Sequence, residues 1–204
     1  GFASLMALDP QGARPFDAGR KGLSVGEAAG FILLMSAERA EQEERAALGE
    51  LVGWGMSNDA NHMTGPSRDG SSLAKAIDAS LRRADIPAHS ISMICAHGTG
   101  TGYNDSMELK AFKTVFDDLP PLFSVKGGTG HTMGAAGLVE TLLTLKAQRE
   151  GMVPPTVALQ NPDVEAAGKV SAESISIEVS DWALSTNSGF GGVNAALVLR
   201  RAVV

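Results

Sequence analysis

The glycine-rich stretch at residues 124–140 most constrains the fold, because there an apolar run turns sharply into the start of a predicted helix. Three glycines between Lys126 and His131 permit positive φ and close backbone approach, so the turn can hold both side chains in one crevice above a strand end. The stretch is not a P-loop, because its lysine precedes the glycines. A corner of this kind predicts a ligand site in an α/β sheet, and a glycine-rich loop around a core histidine is the alternative interpretation.

Two further glycine-rich loops follow predicted strands. A strand at residues 91–96 runs directly into the glycine-rich residues 97–102, which begin with His97. A predicted hairpin, formed by residues 182–187 and 193–200, has a glycine-rich tip around Phe190. Because a layered α/β fold can bring such loops together, the sequence predicts one composite pocket.

The rest of the chain also follows an α/β pattern. Strands are predicted at residues 26–35, 50–57, 91–96, 122–125 and 175–179, and helices at residues 36–48, 71–86, 105–116 and 134–150. Asn104 is expected to cap the third helix, and Asp105 and Glu108 fall in its first turn, where carboxylates suit the helix dipole. Residues 1–22 and 58–70 are predicted loops.

Composition limits the class of protein. With 204 residues, 44% of them hydrophobic, the chain can bury a large core, and its net charge of −6 argues against a nucleic-acid or anionic-membrane surface. No apolar stretch reaches the roughly 18 residues of a membrane-spanning helix. The single cysteine, Cys95, excludes an internal disulfide framework, and with the lack of a recognisable signal peptide it predicts a cytoplasmic protein. Because the chain opens on Gly1 rather than on methionine, we expect it to be part of a longer gene product.

Several motifs make the chain more specific than a generic α/β domain. They are Ala96-His97-Gly98-Thr99-Gly100-Thr101, residues 125–137 with Lys126 and His131, residues 187–194, Arg14-Pro15-Phe16-Asp17, Gly26-Glu27, His62-Met63-Thr64 and Pro154-Pro155-Thr156. In type and order they closely resemble the β-ketoacyl-acyl carrier protein synthases, and the resemblance covers nearly the whole chain. It implies the thiolase fold, in which two related halves pack as αβαβα layers.

The resemblance also implies how this chain is divided. Residues 1–48 would be the remainder of the N-terminal half, and residues 49–204 would be the C-terminal half with a mixed five-stranded sheet. We expect the helix at residues 134–150 to expose an apolar face if the other half is missing.

For the candidate residues, the resemblance implies roles in decarboxylative condensation. His97 and His131 would donate to the malonyl thioester oxygen as loss of CO₂ produces an enolate. The backbone N–H of Phe190 would join that of the nucleophile in the second oxyanion hole, while its ring gates the acyl pocket. Lys126, paired with Glu140, would set the local field rather than transfer protons.

Further residues would surround these groups. Asp105 and Glu108 would support the site from behind, Phe2 would line the acyl pocket, and the residues bonding the pantetheine arm would be Thr64, Thr99 and Thr101. The resemblance implies no cofactor and no metal, since the substrates travel on the phosphopantetheine of acyl carrier protein. Expected partners are that carrier, the first half of the synthase or a chain carrying it, and a second complete synthase in a dimer, with no nucleic acid or membrane.

Three departures from the family pattern stand out. The nucleophilic cysteine normally lies in the first half and is absent here, and Cys95 is expected to be buried and inert because it occupies a strand. Met6 stands where some relatives present a basic residue to the carrier protein. The loop at residues 187–192 lacks one phenylalanine found in many relatives and resembles aromatic-polyketide ketosynthases.

Two function classes remain: part of a condensing enzyme, or a non-catalytic subunit similar to chain-length factors that shapes a partner's pocket. Such subunits tend to lose the histidine motifs, so the presence of His97 and His131 favours the enzyme. Thiolase itself is a third, weaker interpretation, since its Cys-x-Gly-x-Gly motif is missing. We expect His97 and His131 to share one pocket, and His62 and His89 to lie outside it.

Overall fold

A mixed sheet organises the fold in the computed structural model, which describes residues 1–178 and 180–202. The strands are β1 (Gly49–Asn58), β2 (Ile94–Cys95), β3 (Leu122–Phe123), β4 (Met152–Val153), β5 (Ile175–Ser176), β6 (Trp182–Gly189) and β7 (Val193–Arg201). Five of them form the sheet, in the order β1-β7-β6-β2-β3, while β4 and β5 pair separately. Strand β7 runs antiparallel to both neighbours, whereas β2 runs parallel to β3 and β6. The predicted mixed five-stranded sheet is confirmed.

Helices cover both faces of this sheet. They are α1 (Ala37–Gln42), α2 (Ser71–Ala84), α3 (Gly102–Val115), α4 (Lys126–Thr129) and α5 (Ala136–Glu150). Neighbouring strand residues point to opposite faces, so Ile94 packs in the core formed with α2 and α3, while Cys95 packs in a second core with α5. This arrangement places the ends of β2, β3 and β6 beside the start of α5. No helix in the described part of the chain is both long and apolar enough to cross a membrane.

The predicted strand at residues 26–35 is wrong. Val25 forms a parallel bridge with His131, but the residues after it have no regular structure. The side chain of Phe31 is 99% exposed, and those of Leu33 and Leu34 are also mostly in water. A strand needs a neighbour that accepts and donates its backbone hydrogen bonds. Beyond the Gly26 N–H, which donates to the His131 carbonyl, no described residue pairs in this way with the backbone of residues 27–35. The apolar pattern therefore predicted a strand, but the described part of this chain supplies no neighbouring strand to pair with it.

Other element bounds also differ from the prediction. Helix α1 starts as expected after Ser36, whose hydroxyl accepts from the Arg39 N–H at 3.3 Å, but it ends at Gln42 instead of continuing to residue 48. Strands β2 and β3 are two residues each, shorter than predicted. Strand β5 covers the first two residues of the strand predicted at 175–179, and Val179 lies outside the described residues. The hairpin of β6 and β7 is present as predicted.

Much apolar surface is exposed on the α5 side of the sheet. Trp54 and Met56 of β1 are 51% and 70% exposed, and a groove between residues 32–34, β7 and α5 has a volume of about 290 Å³. On α5 itself, Leu145 is buried against the sheet, whereas Leu138 stays partly exposed.

We therefore expect the isolated chain to self-associate at micromolar concentration. Several hundred Å² of apolar surface in water forfeits about 10 kcal/mol, at about 25 cal/mol per Å², which is comparable to the whole stability of a domain. Sedimentation velocity combined with thermal unfolding will test this. A soluble monomer that unfolds in one cooperative transition would contradict the expectation.

Candidate active site

One cavity of about 1460 Å³ lies where the three glycine-rich loops meet. His97, His131 and Phe190 all line it, so the predicted composite pocket is present. The other candidate residues that line it are Phe2, Thr64, Thr99 and Thr101. The cavity thus collects side chains from the first residues of the chain, from both histidine loops and from the β6–β7 tip.

The two predicted histidines are close neighbours. The ring centroids of His97 and His131 are 5.0 Å apart, with the ring planes at 81°. His89 is exposed and away from the cavity, as expected. His62, however, lines the same cavity, so the prediction that it lies outside is wrong. Its loop folds back over the cavity, where the His62 Nδ1 accepts from the Thr64 N–H at 3.2 Å.

Lys126 fixes the hydrogen bonding of His97. The Lys126 Nζ contacts the Glu140 Oε1, the His97 carbonyl oxygen and, at 3.2 Å, the His97 Nδ1. Both side chains of the Lys126–Glu140 pair are 1% exposed, and the pairing is the predicted one. An ammonium group only donates, so the His97 Nδ1 must accept. The proton of the neutral imidazole therefore sits on Nε2.

The same protonation pattern holds at His131. The backbone N–H of Met133 donates to the His131 Nδ1 at 3.1 Å, which leaves the proton on Nε2. The backbone of His131 is itself fixed: its N–H donates to the Ser24 carbonyl at 2.7 Å, and its carbonyl accepts from the Gly26 N–H at 3.0 Å. Both histidines consequently offer an Nε2–H donor.

Both imidazoles are neutral at pH 7. Burial, followed by the charge of Lys126, lowers the pKa of His131 to about 4. The same causes, with His131 as a third, lower the pKa of His97 well below its usual range. Neutral imidazoles can donate to a developing oxyanion without first losing a proton.

An NMR titration of the ring nitrogens should place the His131 midpoint near pH 4. The folded pKa lies below the unfolded value of 6.5, so the unfolded chain binds more protons between these two values. The contribution of His131 to stability is thus complete above about pH 6.5 and is lost as the pH falls to about 4. The His131→Asn variant identifies the signal, and a midpoint near 6.5 would contradict the burial argument.

Two buried carboxyl groups hold the loop that carries His97. The Glu108 carboxyl oxygens accept from the backbone N–H groups of His97 and Gly98, each at 2.7 Å. Asp105 accepts from the N–H of Thr99 at 3.0 Å and that of Phe16 at 2.9 Å. Burial, and then the charge of Asp105, raises the pKa of Glu108 to about 8, and burial also raises that of Asp105. These acids therefore position the loop rather than cap their own helix.

Asn104 is not the helix cap that the sequence predicted. Because α3 begins earlier, at Gly102, Thr101 occupies the N-cap position; its side chain makes no capping bond. The Asn104 amide instead donates to the Glu108 Oε2 at 2.8 Å and to the Asp105 Oδ1 at 3.2 Å. Asn104 thus helps to satisfy the two buried acids.

The glycine-rich corner differs from the predicted turn, because part of it is helical. Residues 126–129 form the short helix α4, and only then does the chain reach His131 and α5. Of the three glycines, Gly130 has positive φ, at +68°. Gly127 serves close approach instead, since a Cβ there would lie 1.9 Å from the carbonyl oxygen of Val157.

Phe190 lies at the exposed tip of the β6–β7 hairpin. Its side chain is 54% exposed, and its ring centroid is 5.6 Å from that of Phe2. Sequence reasoning missed the residues that secure this tip. Asn194 donates to the Asp59 Oδ1 at 2.7 Å, and Asn187 donates to the Glu140 Oε2 at 2.9 Å. The sequence signal that could have identified them is a pair of asparagines, one on each side of the glycine-rich turn.

The structure places two of the residues that depart from the family pattern. Cys95 is fully buried in its strand, as expected, and burial raises the pKa of its thiol, which makes it a poor nucleophile. Met6 lines the cavity and is 88% exposed.

Comparison with known proteins identifies the family that the sequence motifs resemble. The model of the family "Beta-ketoacyl synthase, C-terminal domain" matches residues 48–160. A 3-oxoacyl-[acyl-carrier-protein] synthase 2 from Rhizobium meliloti is 38% identical over 98% of this chain and 50% of that protein. The chain thus spans about half the length of the curated relatives it matches.

Solved structures agree with this family match. The ishigamide ketosynthase/chain length factor is 34% identical with a TM-score of 0.93, covering 99% of this chain and 50% of that one. A type II polyketide synthase acyl-carrier protein in complex with its hexaketide-bound ketosynthase gives 31% identity and a TM-score of 0.90, with 98% and 52% covered. The fold is therefore thiolase-like, that of the ketosynthases. This chain belongs to the β-ketoacyl synthase family and contains its C-terminal domain.

Proposed function

We propose that this chain supplies the C-terminal half of a β-ketoacyl-acyl carrier protein synthase, an acyltransferase of fatty-acid or polyketide synthesis. The supporting observation is the histidine pair: two neutral imidazoles, 5.0 Å apart at one cavity, each with its Nδ1 accepting a hydrogen bond and its Nε2–H available as a donor. A thioester oxygen that gains negative charge needs such preorganised donors.

The reaction is a decarboxylative Claisen condensation. The C–C bond of the malonyl thioester breaks, CO₂ leaves, and the electron pair moves to the thioester oxygen, where His97 and His131 donate. The enolate carbon then attacks the acyl group held on a cysteine of the first half, and the cysteine thiolate leaves. During this attack the Phe190 N–H stabilises the second oxyanion together with the N–H of the nucleophile.

Four buried polar residues hold the reacting groups without touching the substrate. Lys126 and Glu140 fix the tautomer of His97 and set its field, while Asp105 and Glu108 hold the backbone of its loop. None of them needs to exchange a proton during the cycle, since all their hydrogen bonds serve positioning.

The substrates reach the cavity on the phosphopantetheine arm of acyl carrier protein, so no separate cofactor or metal takes part. Thr64, Thr99 and Thr101 offer hydroxyl groups along the cavity wall for the amides of this arm, and the Thr99 and Thr101 hydroxyls are 2.9 Å apart. Phe2, beside Phe190, contributes to the wall for the growing acyl chain.

The proposed assembly has further parts. Residues 1–48 close the N-terminal half, residues 49–204 form the C-terminal half, and the complete synthase is a cytoplasmic dimer. The ketosynthase caught with its carrier protein supports the choice of carrier as partner.

Reconstitution tests this function. The chain together with its first half is mixed with malonyl-carrier protein and an acyl thioester, and mass spectrometry follows the 3-oxoacyl product. We expect condensation with holo-carrier protein and none with the carrier that lacks phosphopantetheine. A subunit similar to chain-length factors would instead form no product itself and would alter the product length of a separate ketosynthase.

A further inference from the structure

Positive charge collects along the wall of the cavity, in a chain whose net charge is −6. Lys21, Arg68 and Lys110 all line the cavity and are exposed. Among residues 1–178 and 180–202, no carboxylate forms an ion pair with any of the three. The lining carboxylate, Asp59, is already engaged by Asn194 and by the Ser67 N–H at 2.9 Å. The cavity therefore favours an anionic ligand.

The Arg68 guanidinium lies over the ring of Tyr103. Its central carbon lies 4.8 Å from the centroid of the Tyr103 ring, in cation–π geometry. No described residue accepts a hydrogen bond from the Arg68 guanidinium, so its N–H donors are available to a ligand. A planar fork of this kind matches two oxygens of a phosphate group.

Lys110 lies beside Arg68. Its Nζ donates to the Arg68 carbonyl oxygen at 2.9 Å, which uses one of the three ammonium donors and leaves two. Tyr103, Met107 and Lys110 recur at helical spacing on α3, and all three line the cavity. One face of α3 thus carries both the ring that orients Arg68 and a second cation.

The position of the pair along the chain indicates which anion it meets. Arg68 follows Thr64 in one loop, and Tyr103 follows Thr101 at the start of α3. The segment with Thr64 thus leads to Arg68, and the segment with Thr101 leads through Tyr103 to Lys110 on α3, all on the wall of one cavity. An arm whose thioester lies at the histidines and whose amides lie at the threonines has its phosphate at its remaining end.

We propose that Arg68, oriented by Tyr103, and Lys110 bind the phosphate ester of the phosphopantetheine arm. This assignment rests on the proposed function. The phosphate is the chosen ligand, rather than acidic side chains of the carrier, because the oriented guanidinium lines the cavity that takes the arm.

A comparison of two small thioesters tests the assignment. Calorimetry of the chain with its first half measures the dissociation constants of malonyl-phosphopantetheine and malonyl-pantetheine, which differ only in the phosphate. We expect the phosphorylated ligand to bind about tenfold tighter, as for a charge-assisted bidentate contact. In Arg68→Gln the ratio of the two constants should fall toward one, and Lys110→Gln should reduce it less. The matched control is Arg82→Gln on α2, an exposed arginine that does not line the cavity and should keep the full ratio.

The outcomes separate this assignment from the proposed function. Equal affinity of both thioesters for the unaltered protein, or an unchanged ratio in Arg68→Gln, would overturn the phosphate site while leaving the function standing. A loss seen with holo-carrier protein but not with malonyl-phosphopantetheine would show that Arg68 meets carrier side chains, and would also overturn it. Failure of both thioesters to bind would remove the proposed function together with the site.

Discussion

Replacing His131 with alanine should slow malonyl decarboxylation by about 10²–10³-fold while leaving acyl transfer to the cysteine largely intact. The variant loses one preorganised donor to the enolate oxygen, and loss of a single oxyanion donor typically has this effect. In the proposed mechanism, acyl transfer relies on the other oxyanion hole, at Phe190, so the two half-reactions should separate. The measurements are release of labelled CO₂ from malonyl-carrier protein and single-turnover acylation, made on the chain with its first half.

His89→Ala is the matched control for this experiment. His89 is exposed and does not line the cavity, so both half-reactions should keep their rates. Equal losses of decarboxylation and acylation in His131→Ala would contradict the assigned role, since they would indicate a general disturbance of the fold.

Lys126→Met should destabilise the protein by about 3–5 kcal/mol. Glu140 is 1% exposed in the pair, so removing its cation leaves a buried carboxylate with only the Asn187 amide as partner. The variant also removes the donor to the His97 Nδ1, so the ring loses its fixed tautomer and condensation should fall as well. Denaturant unfolding and the condensation assay measure the two effects.

Two variants sharpen this prediction. Lys146→Met breaks an exposed pair with Glu150 on the same helix, α5, and should change stability very little. Lys126→Met combined with Glu140→Leu removes both buried charges and should recover much of the lost stability, but not the activity. If the single Lys126→Met variant is as stable as the unaltered protein, breaking the Lys126–Glu140 pair has no such cost in stability.

The cavity could be predicted from the sequence because the residues that line it belong to short motifs. The neighbouring histidines were predicted from glycine-rich corners at strand ends, where an α/β sheet brings loops together. The Lys126–Glu140 pair was implied by the family resemblance. The long hairpin was also predicted, since both of its strands carry strong apolar patterns around a glycine-rich turn.

Errors arose where the outcome depends on distant partners. Residues 26–35 have the pattern of a strand, but strand formation depends on a neighbour. His62 lies far along the chain from the other histidines, and only the folding of its loop brings it to the cavity. The error at Asn104 is local instead: α3 begins at Gly102, so Asn104 lies inside the helix and its amide donates to the nearby buried acids Asp105 and Glu108.

The backbone bonds between His131 and residues 24–26 bear on how the two halves of such a synthase can be recombined. His131, which we propose donates to the enolate oxygen, takes its position from a segment that precedes the predicted boundary at residue 48. A chimera joined at that boundary would combine His131 from one parent with the segment that aligns it from another. A junction placed before residue 22 takes both His131 and residues 24–26 from a single parent. The segment to exchange between synthases is therefore larger than the C-terminal domain.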